Sequence, residues 1–240
     1  MAIKLITTET SQTHVNCLLY GASGVGKTFA ASTCPNPLIL SAEDGLLSLS
    51  DFKLPVIKLD NRHTINEVHE WLKKSKEAKQ YETIYIDSIS EVAETLLHEE
   101  MQTNRDGRAA YGEMANLMTL TIRGYRSLPF HTVFTAKVKK VVDDSTGTIT
   151  HMPSVPGQLL LNNLSYLFDE VFLMEIGQMK DRTKYRYFQT LGDRRYTAKD
   201  RSGKLAEKEK PDFTSVFNKI LSQNADANTN ADAKKPQEGK

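Results

Sequence analysis

The sequence contains very little cysteine and no long run of apolar residues. Cys17 and Cys34 are its only cysteines in 240 residues, too few for the disulfide framework of a small secreted protein. No apolar stretch approaches the roughly 20 residues of a membrane-spanning helix, and the N-terminal segment does not look like a secretion signal. We therefore expect a protein of the reducing cytoplasm with no membrane partner.

A strong excess of charge of one sign is also missing. The chain has 31 Lys and Arg against 30 Asp and Glu, a net charge of +1 with neutral histidine. Domains that bind nucleic acid usually carry a clear basic excess, so contact with DNA would depend on local basic clusters. An apolar content of 39% is ordinary for a soluble domain with a proper core.

What the sequence does contain is a glycine-rich motif near its start. Residues 21–28 read Gly-Ala-Ser-Gly-Val-Gly-Lys-Thr and match the pattern G-x-x-x-x-G-K-[ST], between an apolar run and a short helical segment. The glycines let backbone N–H groups surround an anion, Lys27 can reach terminal phosphates, and the Thr28 hydroxyl can hold Mg²⁺. The motif predicts ATP and Mg²⁺ as cofactors. The residues predicted to bind the nucleotide are Gly21, Ala22, Ser23, Gly24, Val25, Gly26, Lys27, Thr28 and Phe29.

Two short apolar runs farther along the chain end in acidic residues. Glu43 follows the first run, and Asp87 ends the second. The carboxyl ends of strands are where α/β sheets place their active sites. A turn or capping aspartate would look the same as Asp87. The phosphate loop upstream favours instead a Walker B aspartate that shares Mg²⁺ with Thr28.

The rest of the chain alternates between helical and strand patterns. Apolar spacing predicts helices over residues 65–72, 89–97, 111–128, 160–167 and 213–220, and strands over residues 131–137 and 170–176. Thr64 and Glu67 fit a capping box before the first of these helices. The polar stretch 141–152 fits either a hairpin or a mobile loop. Between residues 176 and 210, Lys and Arg outnumber Asp and Glu by 11 to 5, and residues 184–203 predict a basic β-hairpin that turns at Gly192-Asp193.

The order of these features resembles the RecA-like ATPase core. Within that class the sequence is similar to phage-encoded RecA-like ATPases of single-strand annealing and recombination, often grouped as phage AAA-family nucleotide-binding proteins. The segments that carry the resemblance are 21–28, 41–45, 85–88 and 198–201. It implies an α/β fold whose mostly parallel sheet is flanked by helices and extended by a C-terminal β-hairpin. The RecA-like ATPase domain is expected over residues 14–221. Apolar and polar alternation predicts an N-terminal strand or arm (1–13), and the lack of apolar residues other than alanine predicts a disordered tail (222–240).

The resemblance also implies catalytic roles. Glu43 matches the acidic residue that activates the attacking water, with Asp44 as the fallback, and Lys27 and Asp87 complete the set. Arg201 is a candidate finger that would reach a neighbouring subunit's nucleotide. The other candidates for that role are Arg194, Arg195 and Lys199.

In the RecA class, two loops after the third and fourth strands contact DNA. Here they correspond to about residues 104–111 and 139–157. The basic residues that could neutralise DNA phosphates there are Arg105, Arg108, Lys137, Lys139 and Lys140. Lys137 also occupies the place of a polar phosphate sensor, commonly glutamine in this class, so it could contact phosphate, contact DNA or be solvated.

The sequence therefore predicts a Mg²⁺-dependent ATPase that binds single-stranded DNA and promotes annealing or strand exchange. Its implied partners are single-stranded DNA and further copies of itself, in a ring or a filament. A single-strand DNA-binding protein is a further candidate partner, and the expected location is a bacterial host cytoplasm. Two alternatives stay open: a phosphotransferase similar to a nucleotide kinase, and an ATPase that acts on a protein partner.

Overall fold

The computed structural model of the protein describes residues 13–222. The predicted N-terminal arm up to residue 12 and the predicted tail from residue 223 lie outside the described residues. The strands are β1 (Asn16–Gly21), β2 (Pro37–Ser41), β3 (Val56–Lys58), β4 (Thr83–Asp87), β5 (His131–Val142), β6 (Ile149–Ser154), β7 (Glu170–Gln178), β8 (Lys184–Gln189), β9 (Lys199–Asp200) and β10 (Lys208–Glu209). The helices are α1 (Lys27–Ala30), α2 (Arg62–Lys74), α3 (Ile89–Thr103), α4 (Gly107–Arg126), α5 (Gln158–Leu164) and α6 (Phe213–Leu221).

The ten strands found among residues 13–222 join one sheet, and most of it is parallel. The main order is β10-β8-β7-β1-β5-β4-β2-β3, and the six strands from β7 to β3 run parallel to one another. β6 is antiparallel to β5, β8 and β9 are antiparallel to β7, and β10 is antiparallel to β8. The predicted fold class, a mostly parallel sheet flanked by helices, is confirmed.

Both faces of the sheet are covered by apolar clusters, and the central strand β1 contributes side chains to each of them. Every residue of β1 is buried, and its side chains alternate between two apolar clusters. Leu18 and Tyr20 face the cluster that includes α2, α3, α4 and α5. Cys17 and Leu19 face the cluster that includes α1 and α6. A strand buried on both faces reads as a continuous apolar run, which is how β1 looks in the sequence.

The pairing register brings the carboxyl ends of the parallel strands to one edge of the sheet. Gly21 at the end of β1 lies opposite Lys137 of β5 on one side and Met174 of β7 on the other. Ser41 at the end of β2 lies opposite Asp87 at the end of β4. The segments that follow these strands therefore meet at the same edge.

The structure corrects the predicted basic hairpin of residues 184–203. β8 pairs with the strand before it, β7, through a turn at residues 179–183, and then with β10; it does not pair across Gly192-Asp193. The longer register with β7 covers six residue pairs, more than the short segment 194–196 could supply. The undecided stretch 141–152 forms the hairpin between β5 and β6.

The start of α2 also differs from its prediction. The cap is Asn61, whose side chain accepts a hydrogen bond from the Thr64 N–H at 2.9 Å. Thr64 therefore lies inside the first turn and does not cap the helix. No helix among residues 13–222 is long and apolar enough to cross a membrane.

Candidate nucleotide-binding site

The glycine-rich loop connects β1 to α1 at the carboxyl edge of the sheet. A Cβ atom on Gly21 would lie 2.9 Å from the carbonyl oxygen of Met174, so the close approach of β7 requires glycine there. Gly26 has φ +112°, a left-handed conformation that a side chain rarely adopts. Gly26 thus allows the backbone to curl as a phosphate cradle requires, and Gly21 allows β7 to approach the beginning of the loop.

Lys27 lies in the mouth of this loop. Its Nζ donates to the carbonyl oxygens of Gly21 at 3.0 Å and Ala22 at 3.1 Å. Burial lowers the pKa of Lys27, while the negative charges of Asp87 and Glu43 act to raise it. The structure therefore brings the loop lysine and both predicted acids into one electrostatic environment.

A buried network connects the loop to the Walker B strand. Asp87 is 3% exposed and accepts hydrogen bonds from Thr28 Oγ1 at 2.6 Å and Thr135 Oγ1 at 2.5 Å. Tyr85, also on β4, donates its hydroxyl to the Lys27 carbonyl at 2.5 Å. Mg²⁺ prefers oxygen ligands and usually takes one or two from the protein, with substrate phosphates completing the shell. The Thr28 hydroxyl and the Asp87 carboxylate fit that requirement.

Glu43 and Asp44 have different environments although they are adjacent in sequence. Glu43 is half-buried, and its Oε1 accepts a hydrogen bond from Ser88 Oγ at 2.6 Å, directly after Asp87. Asp44 is exposed and pairs with Lys58 at 2.8 Å, and this hydrogen bond lowers the pKa of Asp44. Glu43 is therefore the acid that is held beside the Walker B strand.

Lys137 lies at the edge of the same site but is already paired. Its Nζ forms ion pairs with Glu91 and, at 3.3 Å, with Glu94. The hydrogen bond to Glu91 is the main cause of its raised pKa. The positive charge of Lys137 is thus largely balanced within the chain.

With this geometry established, comparison with known proteins identifies the family. The family model AAA_24, described as an AAA domain, matches residues 13–202. The chain belongs to this AAA domain family. The comparison with curated proteins gives no match. Among solved structures, the chain is similar to the KaiC-like protein PH0186 from the hyperthermophilic archaeon Pyrococcus horikoshii OT3, with 14% identity and a TM-score of 0.40, over 72% of this chain and 76% of that chain.

Family membership and the phosphate loop together make this AAA domain a P-loop ATPase. The proposed roles of its individual residues depend on the geometry described above. Lys27, Thr28, Asp87 and Glu43 are brought together with Lys137 at their edge. The predicted finger and the other predicted DNA-binding residues lie outside this group.

Arg201 lies at the opposite edge of the AAA domain's sheet. Arg201 directly follows β9, which pairs with Glu170 and Val171 at the beginning of β7, and the Arg201 Nη1 donates to Asp169 Oδ1 at 2.6 Å. Lys199 donates to the carbonyl oxygens of Ser165 and Phe168. Neither residue joins the site of its own chain, so a role at a neighbouring subunit's nucleotide stays a prediction.

The predicted DNA-binding residues lie on two segments beyond the carboxyl edge. Lys139 and Lys140 are on the part of β5 that pairs with β6. Arg105 lies between α3 and α4, and Arg108 is in the first turn of α4. One turn further along α4, the Tyr111 ring lies close to the backbone just past β6: a Cβ on Gly157 would be 3.3 Å from its Cδ1.

Sequence reasoning missed several residues that shape the site. Thr135, Ser88 and Tyr85 hold Asp87, Glu43 and the loop through hydrogen bonds across the sheet. Arg186 of β8 donates from Nε to the Val25 carbonyl at 2.8 Å. In the sequence it is one of many basic residues after residue 176, and only its place next to the loop distinguishes it.

Proposed function

We propose that this AAA domain protein is a Mg²⁺-dependent ATPase that binds single-stranded DNA and promotes annealing or strand exchange in phage homologous recombination. Hydrolysis is supported by Glu43, a carboxylate able to accept a proton from an attacking water, next to Asp87 and Lys27. Lys27 supplies a positive charge for the phosphate oxygens. Bound Mg²⁺ would supply further neutralisation of phosphate charge.

The observation that carries the DNA proposal is the course of β5. This strand passes the site at Thr135 and Lys137 and then continues beyond the sheet edge as one arm of the β5–β6 hairpin. Lys139 and Lys140 lie on that arm, and among residues 13–222 neither forms an ion pair. Their charges are available for a phosphate backbone, unlike that of Lys137.

The position of Arg201 supports the proposed assembly of several copies. It lies at the opposite edge of the sheet from the site of its own chain, so it can reach a nucleotide only in a neighbouring subunit. Such an arginine finger would stabilise charge on the transferring phosphoryl group. We therefore propose a homo-oligomer, as a ring or a filament.

The first test measures ATP turnover with and without single-stranded DNA. We expect DNA to raise the turnover of the wild type, and we expect Lys27→Ala to abolish turnover under both conditions because the loop loses its cation. Phosphate transfer to a nucleoside monophosphate would instead indicate a phosphotransferase. Turnover unaffected by DNA, together with no shift of DNA in a gel, would favour a protein partner.

The second test compares two double variants that lose the same charge. Lys139→Gln with Lys140→Gln should weaken binding to single-stranded DNA and reduce the salt dependence of log Kd by about one per lost phosphate contact. Lys76→Gln with Lys79→Gln is the control, since these exposed lysines precede β4 at the other edge of the sheet. Equal effects of the two double variants would contradict the assignment of the hairpin.

A further inference from the structure

We propose that Arg186 is a positioning residue that sets the phosphate loop for nucleotide binding. Arg186 holds the peptide group between Val25 and Gly26 so that the Gly26 N–H faces the phosphates. The proposal rests on nucleotide binding by the loop and goes beyond it, because it assigns a binding role to a strand outside the P-loop motif.

The contact comes from the β7–β8 hairpin. Arg186 pairs in register with Ile176, two residues beyond Met174, which itself lies opposite Gly21. The Arg186 Nε donates to the Val25 carbonyl oxygen at 2.8 Å. A Cβ built on Gly26 would lie 3.3 Å from the same Nε, so the guanidinium lies directly against this turn of the loop.

Because the peptide group is planar, this contact also determines the direction of the Gly26 N–H. The Val25 carbonyl and the Gly26 N–H belong to one planar trans peptide, so they point in opposite directions. A donor that holds the carbonyl from outside the loop therefore directs the N–H to the inside. Because Gly26 tolerates many backbone conformations, its own φ of +112° does not fix this orientation.

Lys27, the basic residue of the loop itself, does not provide this contact. Its Nζ donates to the carbonyls of Gly21 and Ala22, whereas the Val25 carbonyl accepts its hydrogen bond from Arg186. In the part of the chain that the structure describes, Arg186 forms no ion pair, so its charge is not balanced by a carboxylate. A hydrogen bond from a cation also polarises the peptide group and strengthens its N–H as a donor.

The proposal predicts which nucleotides are affected. The backbone of this loop surrounds the α- and β-phosphates, which ATP and ADP share. Loss of the Arg186 contact should therefore weaken the binding of ATP and the binding of ADP by the same factor. Because the lost interaction is equal in the ground state and the transition state, KM should rise while kcat at saturating ATP stays nearly constant.

The experiment compares the full-length wild type with Arg186→Gln, Arg186→Lys and the control Arg182→Gln. Arg182 is an exposed arginine in the turn of the same hairpin, so its variant removes the same charge away from the loop. The measurements are Kd for ATP and for ADP by calorimetry, kcat and KM for ATP, and Tm without nucleotide. We expect Arg186→Gln to raise both Kd values about tenfold with an unchanged Tm, Arg186→Lys to recover part of the loss, and Arg182→Gln to behave like the wild type.

Several results would overturn the proposal. Unchanged Kd values in Arg186→Gln would do so, as would a fall in kcat with an unchanged Kd for ADP, which would indicate a contact to the terminal phosphate. A lower Tm with no recovery in Arg186→Lys would indicate a structural role only. A wild type that binds neither nucleotide would contradict the proposed function as well, which distinguishes the two failures.

Discussion

Replacing Glu43 with glutamine tests the proposed chemistry most directly. The Glu43→Gln side chain would keep an Oε1 atom able to accept the hydrogen bond that Ser88 Oγ gives at 2.6 Å, so it should stay in place. What the variant loses is a group that can accept a proton. General bases contribute about 10²–10⁴ in rate, or about 2.7–5.4 kcal/mol of activation free energy. We therefore expect kcat to fall by at least a hundredfold while Kd for ATP changes less than twofold.

The matched control is Asp44→Asn, which removes the same charge one residue away. Asp44 is exposed and pairs with Lys58, so the change should leave turnover within about twofold of the wild type. Phosphate release gives kcat for both variants, and calorimetry gives the affinity for ATP. Glu43 would not be the general base if Glu43→Gln kept a third or more of wild-type turnover, or if Asp44→Asn lost as much turnover as Glu43→Gln.

Asp87→Asn should raise the Mg²⁺ concentration for half-maximal turnover at least tenfold, and Thr135→Val, which removes only a hydrogen bond to that carboxylate, should raise it less. Gly26→Ala should weaken the binding of ATP and ADP at least tenfold in a titration. A side chain at φ +112° costs about 1–3 kcal/mol, and its Cβ would lie only 3.3 Å from Arg186 Nε. Burial raises the pKa of Glu170 from its usual 4.5 to about 8, so the folded state keeps a proton that the unfolded state loses. The free energy of unfolding should therefore fall as the pH rises from about 4.5 to 8, by up to about 1.4 kcal/mol per pH unit, and urea titrations of Glu170→Gln should show a flatter profile.

The parts of the site that are continuous in sequence were predictable. The phosphate loop is a local motif, and the apolar run before Asp87 gives a strand whose end must lie at the carboxyl edge of a parallel sheet. Apolar periodicity also located the main helices. The sequence ranks Glu43 before Asp44 only through the resemblance. Their different environments depend on Ser88, which follows β4 and lies far from both acids along the chain.

The predictions that the structure corrects also failed for physical reasons. For the hairpin of residues 184–203 the sequence predicts a turn at Gly192-Asp193, because glycine is the usual turn signal. The actual turn has Arg182 at φ +69°, an uncommon conformation for a residue with a side chain. The register with β7 extends over six residue pairs, and it depends on how the two strands match along their whole length and not on one turn residue. Arg186 was missed for the same reason, since its role depends on where that register places it.

The length of β5 has a mechanical consequence. The strand is unbroken from Thr135, which touches the Walker B carboxylate, to Val142 at the end of its hairpin arm. That is about 23 Å of extended backbone at about 3.3 Å per residue. The strand has no break between these two ends. A rotation of the strand at Thr135 would therefore displace the tip of the arm over a larger distance than it displaces the Walker B carboxylate.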